Sequence, residues 1–345
     1  MKKLLYMVGA IALVACGSSK ETASTDNDTT TDLAAKYAKT ITAKDLGKHL
    51  FIYASDEFEG RNTGEPGQKK AVKYLKDFYV SQGIASPLGG DNYFQEVPSE
   101  YLSSNRRGMT LKDSENVLAY IKGTEKPDEI IVISAHLDHE GIKDGEIYNG
   151  ADDDGSGTVA ILEIAEAFKQ AADAGKGPKR SILFLHVTGE EKGLLGSKYY
   201  TENPIFPLAN TVTNLNIDMI GRVDDRHKGN PNYVYLIGSD KLSTELHNIS
   251  EAMNKKYTNI DLDYKYNDDN DPNRFYYRSD HYNFAKHNIP IIFYFNGTHA
   301  DYHRPTDTPD KINYEMLENR ARLVFHTAWE VANRENRVVV DKVAN

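Results

Sequence analysis

The chain has 345 residues, a formal net charge of −10, 39% hydrophobic and 27% charged residues, the make-up of an ordinary folded protein with length for one large core or two modest ones. The acidic balance, with no basic stripe or stacking platform, argues against a nucleic-acid polyanion as partner.

In chain order, Lys2 and Lys3 precede an apolar run, "LLYMVGAIALVAC", too short for an ordinary membrane span but of the length of a secretory h-region. It ends in Leu13-Val14-Ala15-Cys16, which resembles a bacterial lipobox, and Cys16 is the single cysteine of the chain. The expectation is a signal peptide over 1–15 and a lipid anchor on Cys16, with the mature protein in the bacterial cell envelope, on the outer membrane or periplasmic face, or secreted. Residues 16–34, rich in Ser, Thr and Asp, read as a flexible tether.

From Leu33 the pattern turns helical, and "EPGQKKAVKYLKDFYVSQGI" places Ala71, Leu75 and Phe78 on one helix face, with Pro66 near the start and Gly83 near the end. Strand-like runs and helical stretches then alternate. The strands are "NVLAYIKG", "EIIVISAH", "RSILFLHVTG", "NTVTNLNIDMIG", "NYVYLIGS" and "IPIIFYFNG". The helices are "GTVAILEIAEAFKQAA", "GLLGSKYYTEN", "DKLSTELHNISEAMNKKY", "HYNFAKHN" and "YEMLENRARLVFHTAWEVANREN". Continuous apolar strands alternating with helices predict a mainly parallel sheet covered on both faces, in one α/β domain over 35–345.

Several of these strands run into polar residues able to hold a metal. His136 and Asp138 follow one, Glu190 and Glu191 another, Asp218 a third, and His299 and His303 lie in "THADYHRPTDTPDK" near the C-terminus. A fifth stretch, "NGADDDGSG", sets Asp152, Asp153 and Asp154 side by side before a helix beginning near Gly157. Each residue alone has a plain explanation as a cap or a satisfied core group. Together they gather where open α/β sheets place their sites, beyond the carboxyl ends of the strands. Imidazole and carboxylate without thiolate suit zinc, and the set is too nitrogen-rich for a calcium or magnesium cage. One donor from each of these five stretches, two His and three carboxylates in all, exceeds one open tetrahedral site and suffices for two ions sharing a carboxylate.

The motifs "HLDH", "NGADDDGSG", "TGEEKGLLGS", "NIDMIGR", "RSDHYNFAKHNIP" and "YHRPTDT", in that order, resemble the zinc aminopeptidase family that includes secreted bacterial leucyl aminopeptidases and is related to glutamate carboxypeptidases and glutaminyl cyclases. With the upstream stretches "EFEGRNTGEPGQKKAVKYL" and "YFQEV", the resemblance spans roughly Asp45 to the C-terminus. It implies a three-layer α/β/α fold of the phosphorylase/hydrolase-like kind with a central mixed, mainly parallel sheet. It also implies two zinc ions per chain, peptide substrates, and cleavage of N-terminal residues by a water activated at the metals. Carried over by position, His136 and Asp218 would bind one zinc, Glu191 and His303 the other, and Asp152 would bridge them. Glu190 would be the general base, and Asp138 would accept the proton of the second nitrogen of His136. Tyr276, three residues before Ser279, would polarise the substrate carbonyl, with Tyr277 as competitor. Asp153 and Asp154 would orient the turn and cap the helix.

Two departures stand out. Arg304 follows the last His where relatives often have Thr, and the short passage before "NVLAYIKG" leaves no room for a protease-associated insert domain. The acidic loop 268–271 lacks a calcium-hand pattern and reads as a solvated turn. The alternatives are a glutaminyl-peptide cyclotransferase of the same fold and a metal-free binding module.

Overall fold

The computed structural model describes Met1 and residues 27–104, 108 and 110–342. The expected signal peptide and Cys16 anchor therefore lie outside the described residues. Among the described residues no helix is long and apolar enough to cross a membrane. Part of the segment read as a tether is helical, because α1 runs Asn27–Ala38. Its last turns are anchored: Ala34, Tyr37 and Ala38 are buried in the core.

The strands are β1 (Phe94–Val97), β2 (Ser114–Ile121), β3 (Lys126–His136), β4 (Gly141–Lys143), β5 (Glu146–Tyr148), β6 (Arg180–Val187), β7 (Thr211–Ile217), β8 (Tyr233–Ile237), β9 (Asp261–Asp263) and β10 (Ile291–Phe295). Eight of them form one sheet in the order β1-β2-β6-β3-β7-β10-β8-β9, and β4 and β5 make a separate hairpin. The inner four, β6-β3-β7-β10, are mutually parallel, while β2 and β8 join them antiparallel on either side. The sheet is thus mixed with a parallel centre.

Strand alternation divides the core into two layers. Ile131, Ile133 and Ala135 of β3 and Ile182 and Phe184 of β6 face the larger cluster, where Phe168, Phe325 and Trp329 pack. Ile130 and Val132 of β3 and Leu183, Leu185 and Val187 of β6 face the other side, against Tyr200 and Phe284. The first layer is built from α2 (Ala43–Tyr53), α3 (Pro66–Ser81) and α5 (Gly157–Asp173) with the long C-terminal α9 (Tyr314–Asn333). The short α4 (Ser99–Ser104) lies beside β1; α6 (Leu195–Glu202) and α8 (His281–Ala285) cover the opposite face. The helix expected from Asp240 starts later. Ser243 caps it by accepting from the Leu246 N–H, so α7 spans Thr244–Met253 and then widens into a π turn over Asn254–Thr258.

Register aligns the carboxyl ends of the central strands. His136 pairs with Val187, Ser134 with Asn216, and Tyr294 with Ile217, so the residues just beyond β3, β6, β7 and β10 emerge at one rim.

Candidate metal centre

His136 is the last residue of β3 and is fully buried. Its Nδ1 lies 2.9 Å from the carbonyl oxygen of Asp138, which can only accept, so Nδ1 carries the proton and Nε2 presents a lone pair. Nε2 stands 3.0 Å from Asp153 Oδ1, 3.7 Å from Asp218 Oδ1 and 3.9 Å from Glu190 Oε2, and it has no hydrogen-bond partner. On the other flank His303 Nε2 is 3.0 Å from Asp153 Oδ2 and 3.4 Å from Glu191 Oε2. Two clusters with metal-ligand spacing result, His136–Asp153–Asp218 and His139–Asp153–Glu191, and Glu140 comes within reach of Glu191 and His303 in a third. Buried, unpartnered nitrogens facing carboxylates at about 3 Å are the donor set of a cation site.

The shared carboxylate is Asp153, not the Asp152 expected from sequence. Asp152 is engaged elsewhere: its Oδ1 accepts from the Gly221 N–H (2.7 Å) and the Ser156 hydroxyl (3.1 Å), and its Oδ2 lies 3.1 Å from His299 Nε2. His299 is thereby a partner of this carboxylate and stands outside the clusters. Asp154 accepts from the Gly157 and Met219 N–H groups at 3.0 Å and from His136 N–H at 3.2 Å, capping α5 and tying together the ends of β3 and β7. Asp153 has extended backbone (φ −101°, ψ 99°) within the turn, and the Asp153–Asp154 peptide is cis. Only the middle carboxylate faces the imidazoles. Asp307, to which the motif "YHRPTDT" by itself gives no role, holds the turn in that phase. Its Oδ2 accepts from the N–H groups of both Asp152 (3.0 Å) and Asp153 (3.2 Å).

Asp138 also departs from expectation. Its backbone carbonyl orients His136, while its carboxylate accepts from the Thr63 hydroxyl (2.6 Å) and the Glu190 N–H (3.1 Å), bracing the loop after β6. Asp218, just past β7, is oriented by Ser279, whose hydroxyl donates to Oδ2 at 2.6 Å and accepts from Asn216 Nδ2 at 2.9 Å. Ser279 belongs to the quoted "RSDH" motif, yet nothing in the motif assigns it this role.

Tyr276 is placed apart from the clusters. With Tyr277 it lines a separate cavity of about 370 Å³ beside Lys241 and Asp269, and Lys241 sits over its ring at 5.1 Å. Burial pushes its phenol up to about 12. The pocket that opens on Asp153, Glu190, Asp218 and His303 is walled instead by Phe275, Phe293, Phe295 and Tyr302, with Arg278 at its edge. The phenol facing the clusters is therefore that of Tyr302, which stacks on His303 with ring centres 3.9 Å apart.

The charged groups of the site act on one another. Burial raises Glu190 well above the usual carboxylate range, and Glu191 and Asp218 add to the rise against the pull of His136. Burial alone would lower His303, but Asp153 and Glu191 hold its imidazolium up to about 10. Asp153 is held well below its usual value against burial, by the imidazoles of His136 and His303, each 3.0 Å from one of its oxygens. A cluster that draws protons this way equally draws cations.

The acidic loop 268–271 contrasts with this. Asp268 accepts from the Asn270 N–H (2.8 Å), Asp271 from Asn273 and Phe275 N–H (both 3.1 Å), and Asp269 pairs with Lys241. None belongs to a ligand cluster among the described residues.

The model of peptidase family M28 matches residues 116–328, more than half of the sequence and all of the strand ends that build the site. The chain belongs to peptidase family M28. Among curated relatives of this family member, leupeptin-inactivating enzyme 1 of Streptomyces exfoliatus is 28% identical over 303 residues, covering 81% of this chain and 59% of that protein. Aminopeptidase NAALADL1 of Rattus norvegicus is 35% identical over 123 residues, 35% of this chain and 16% of that protein. The chain thus spans less than two thirds of the length of these relatives. Solved structures share the fold. LapA of Legionella pneumophila aligns with TM-score 0.67 at 22% identity, over 88% of this chain and 77% of that one. BSAP, a zinc aminopeptidase from Bacillus subtilis, aligns with TM-score 0.62 at 16% identity, over 88% and 98%.

Proposed function

We propose that this M28 protein is a two-zinc exopeptidase that removes N-terminal residues from peptides. The observation that carries the reading is the convergence of His136, Asp218, Glu191 and His303 on Asp153, with Glu190 beside them. His136, Asp218 and Asp153 would hold one ion; Asp153, Glu191 and His303 the other. Zinc there would supply Lewis-acid polarisation of the scissile carbonyl and a nucleophile at neutral pH.

The chain's own groups do the rest. Glu190 stands next to the ligands with its carboxylate 3.9 Å from His136 Nε2, and its backbone is pinned by Asp138. From there it would take a proton from the attacking water and deliver it to the leaving amine. The aromatic walls Phe275, Phe293 and Phe295 would seat an apolar side chain of the N-terminal residue and keep bulk water from the reacting bond. The M28 match, the aminopeptidase relative and the aminopeptidase folds support a peptidase over a cyclotransferase or a metal-free module.

Hydrolysis of an aminoacyl anilide, abolished by a chelator and restored by zinc, is the expected result; cyclisation of N-terminal glutamine without hydrolysis would overturn the reading. A Glu190→Gln variant should keep its metal and lose ~10²–10⁴-fold in kcat. We propose further that the mature protein is held at the cell envelope by lipid on Cys16, so that Cys16→Ser should move it from the membrane to the soluble fraction.

A further inference from the structure

His139, two residues beyond Leu137 in "HLDH", is fully buried next to the centre and has no part in the roles above. Its Nδ1 lies 2.8 Å from Glu191 Oε1 and 3.9 Å from Asp153 Oδ2. Neither Nδ1 nor Glu191 Oε1 makes a hydrogen bond, although they nearly touch. Two unpartnered donor atoms in contact but out of hydrogen-bond alignment are what a shared cation requires. A tetrahedral zinc with bonds of about 2.0–2.1 Å spaces its ligand atoms roughly 3.3 Å apart, within the range seen here. The His139 and His303 rings stand edge to face with centres 5.8 Å apart, on either side of the same carboxylates. Nε2 of His139 is also buried without a partner, so no competing bond accounts for the ring's orientation.

The fold makes room for this imidazole. Gly150 has φ +53°, and a Cβ there would lie 2.5 Å from His139 Cγ and Cδ2. Arg61, fully buried, donates to the carbonyls of Leu137 (3.1 Å), Asn149 (2.7 Å) and Gly150 (2.9 Å), and its own carbonyl accepts from the His139 N–H (3.2 Å). This clamp fixes the loop carrying His139 against the loop carrying Asp153.

We infer that His139 is a fourth protein ligand, through Nδ1, to the ion that Asp153, Glu191 and His303 hold, an inference that rests on the metal-centre reading above. That ion is then enclosed by four protein donors, as structural zinc sites are, whereas the ion of His136, Asp218 and Asp153 keeps an open position. The two ions consequently differ in affinity, and the enclosed one is the tighter.

The test is titration of the metal-free full chain with Co²⁺ alone, followed by visible absorption and by competition with a chelator, for the wild type, His139→Phe and His139→Asn. The wild type takes up two equivalents in two steps. Each variant keeps the weaker step but binds the tighter ion at least ~30-fold less well, with an altered d–d spectrum for that ion and a smaller metal-induced rise in Tm. Two equivalents bound by both variants with wild-type affinity and spectrum would overturn the assignment of His139 while leaving the centre standing. A wild type that takes up no Co²⁺, or a His136→Ala chain that takes up both equivalents as before, would overturn the centre and the inference with it. The Asn variant serves if Phe overfills the space beside Gly150.

Discussion

Two acidic stretches of this chain look alike in sequence and behave oppositely in the fold. The triplet Asp152–Asp154 and the loop Asp268–Asp271 both crowd carboxylates between polar neighbours. In the loop every aspartate is satisfied locally, by an N–H two to four residues on or by Lys241. In the triplet the outer two carboxylates are consumed by backbone N–H groups and His299, and the middle one is turned toward two imidazoles. Acidic density therefore does not make a site. Convergence from separate strands on one carboxylate does.

The largest effect that can break this contrast comes from the triplet itself. On the proposed reading, Asp153→Asn should cost at least ~10⁴-fold in peptidase activity and lower metal content, because the carboxylate common to both ion sites and its charge would be lost. Asp152→Asn should mainly cost stability, ~1–3 kcal/mol in a denaturant melt, by weakening its bonds to Gly221, Ser156 and His299. If metal analysis finds the two phenotypes exchanged, the turn has the other phase.

Asp307→Asn comes next. One oxygen of Asp307 accepts both N–H groups that set the turn, and burial with the neighbouring Asp152 charge raises this carboxyl to about 6. The substitution should lower activity by roughly tenfold while leaving the ligands in place, as expected for a group that positions a ligand rather than binding metal. Unchanged kcat/KM with unchanged metal affinity would remove Asp307 from the site.

A smaller effect concerns an acid far from the metal centre. Glu163 on α5 is buried with Oε1 unpartnered, 3.6 Å from His49 Nε2, and burial, with Glu166 and Asp45 nearby, pushes it up to about 8. Burial also lowers His49, so the pair is neutral at pH 7. Between about pH 4.5 and pH 8 the folded chain holds a proton that the unfolded chain releases, so stability falls as pH rises through that window. Glu163→Gln should abolish the decline, gaining ~1–3 kcal/mol at pH 9 and almost nothing at pH 4.5. A parallel offset of the two stability–pH curves would refute this. The smallest effect belongs to the loop: Asp269→Asn should leave Co²⁺ uptake unchanged and cost less than ~1 kcal/mol.

Much of this architecture was legible from one chain. Apolar runs such as "RSILFLHV" have the length and composition of buried strands, and the polar residues placed at or within a few residues of their ends, His136, Glu190, Glu191 and Asp218, had to emerge at one rim once the strands were parallel. The helix α7 was less legible at its ends, since Ser243 can cap only where the backbone turns extended, and the pattern from Asp240 carries no sign of that.

What sequence alone determined was the set of donor types and the strands that deliver them, because strand periodicity and chain order depend on local residues. The tertiary structure decided which atoms meet. In the triplet the backbone is neither helix nor strand, so no period says which aspartate points inward; Asp307, more than 150 residues away, sets the phase. Asp138 turned its carboxylate to Thr63 because α3's preceding loop packs there, leaving its carbonyl for His136. Tyr276 was drawn off to a neighbouring cavity while Phe275 and Tyr302 took the wall of the site. His139 meets Glu191 where Arg61 ties two distant loops together, and such long-range hydrogen bonds leave no local trace in the order of residues.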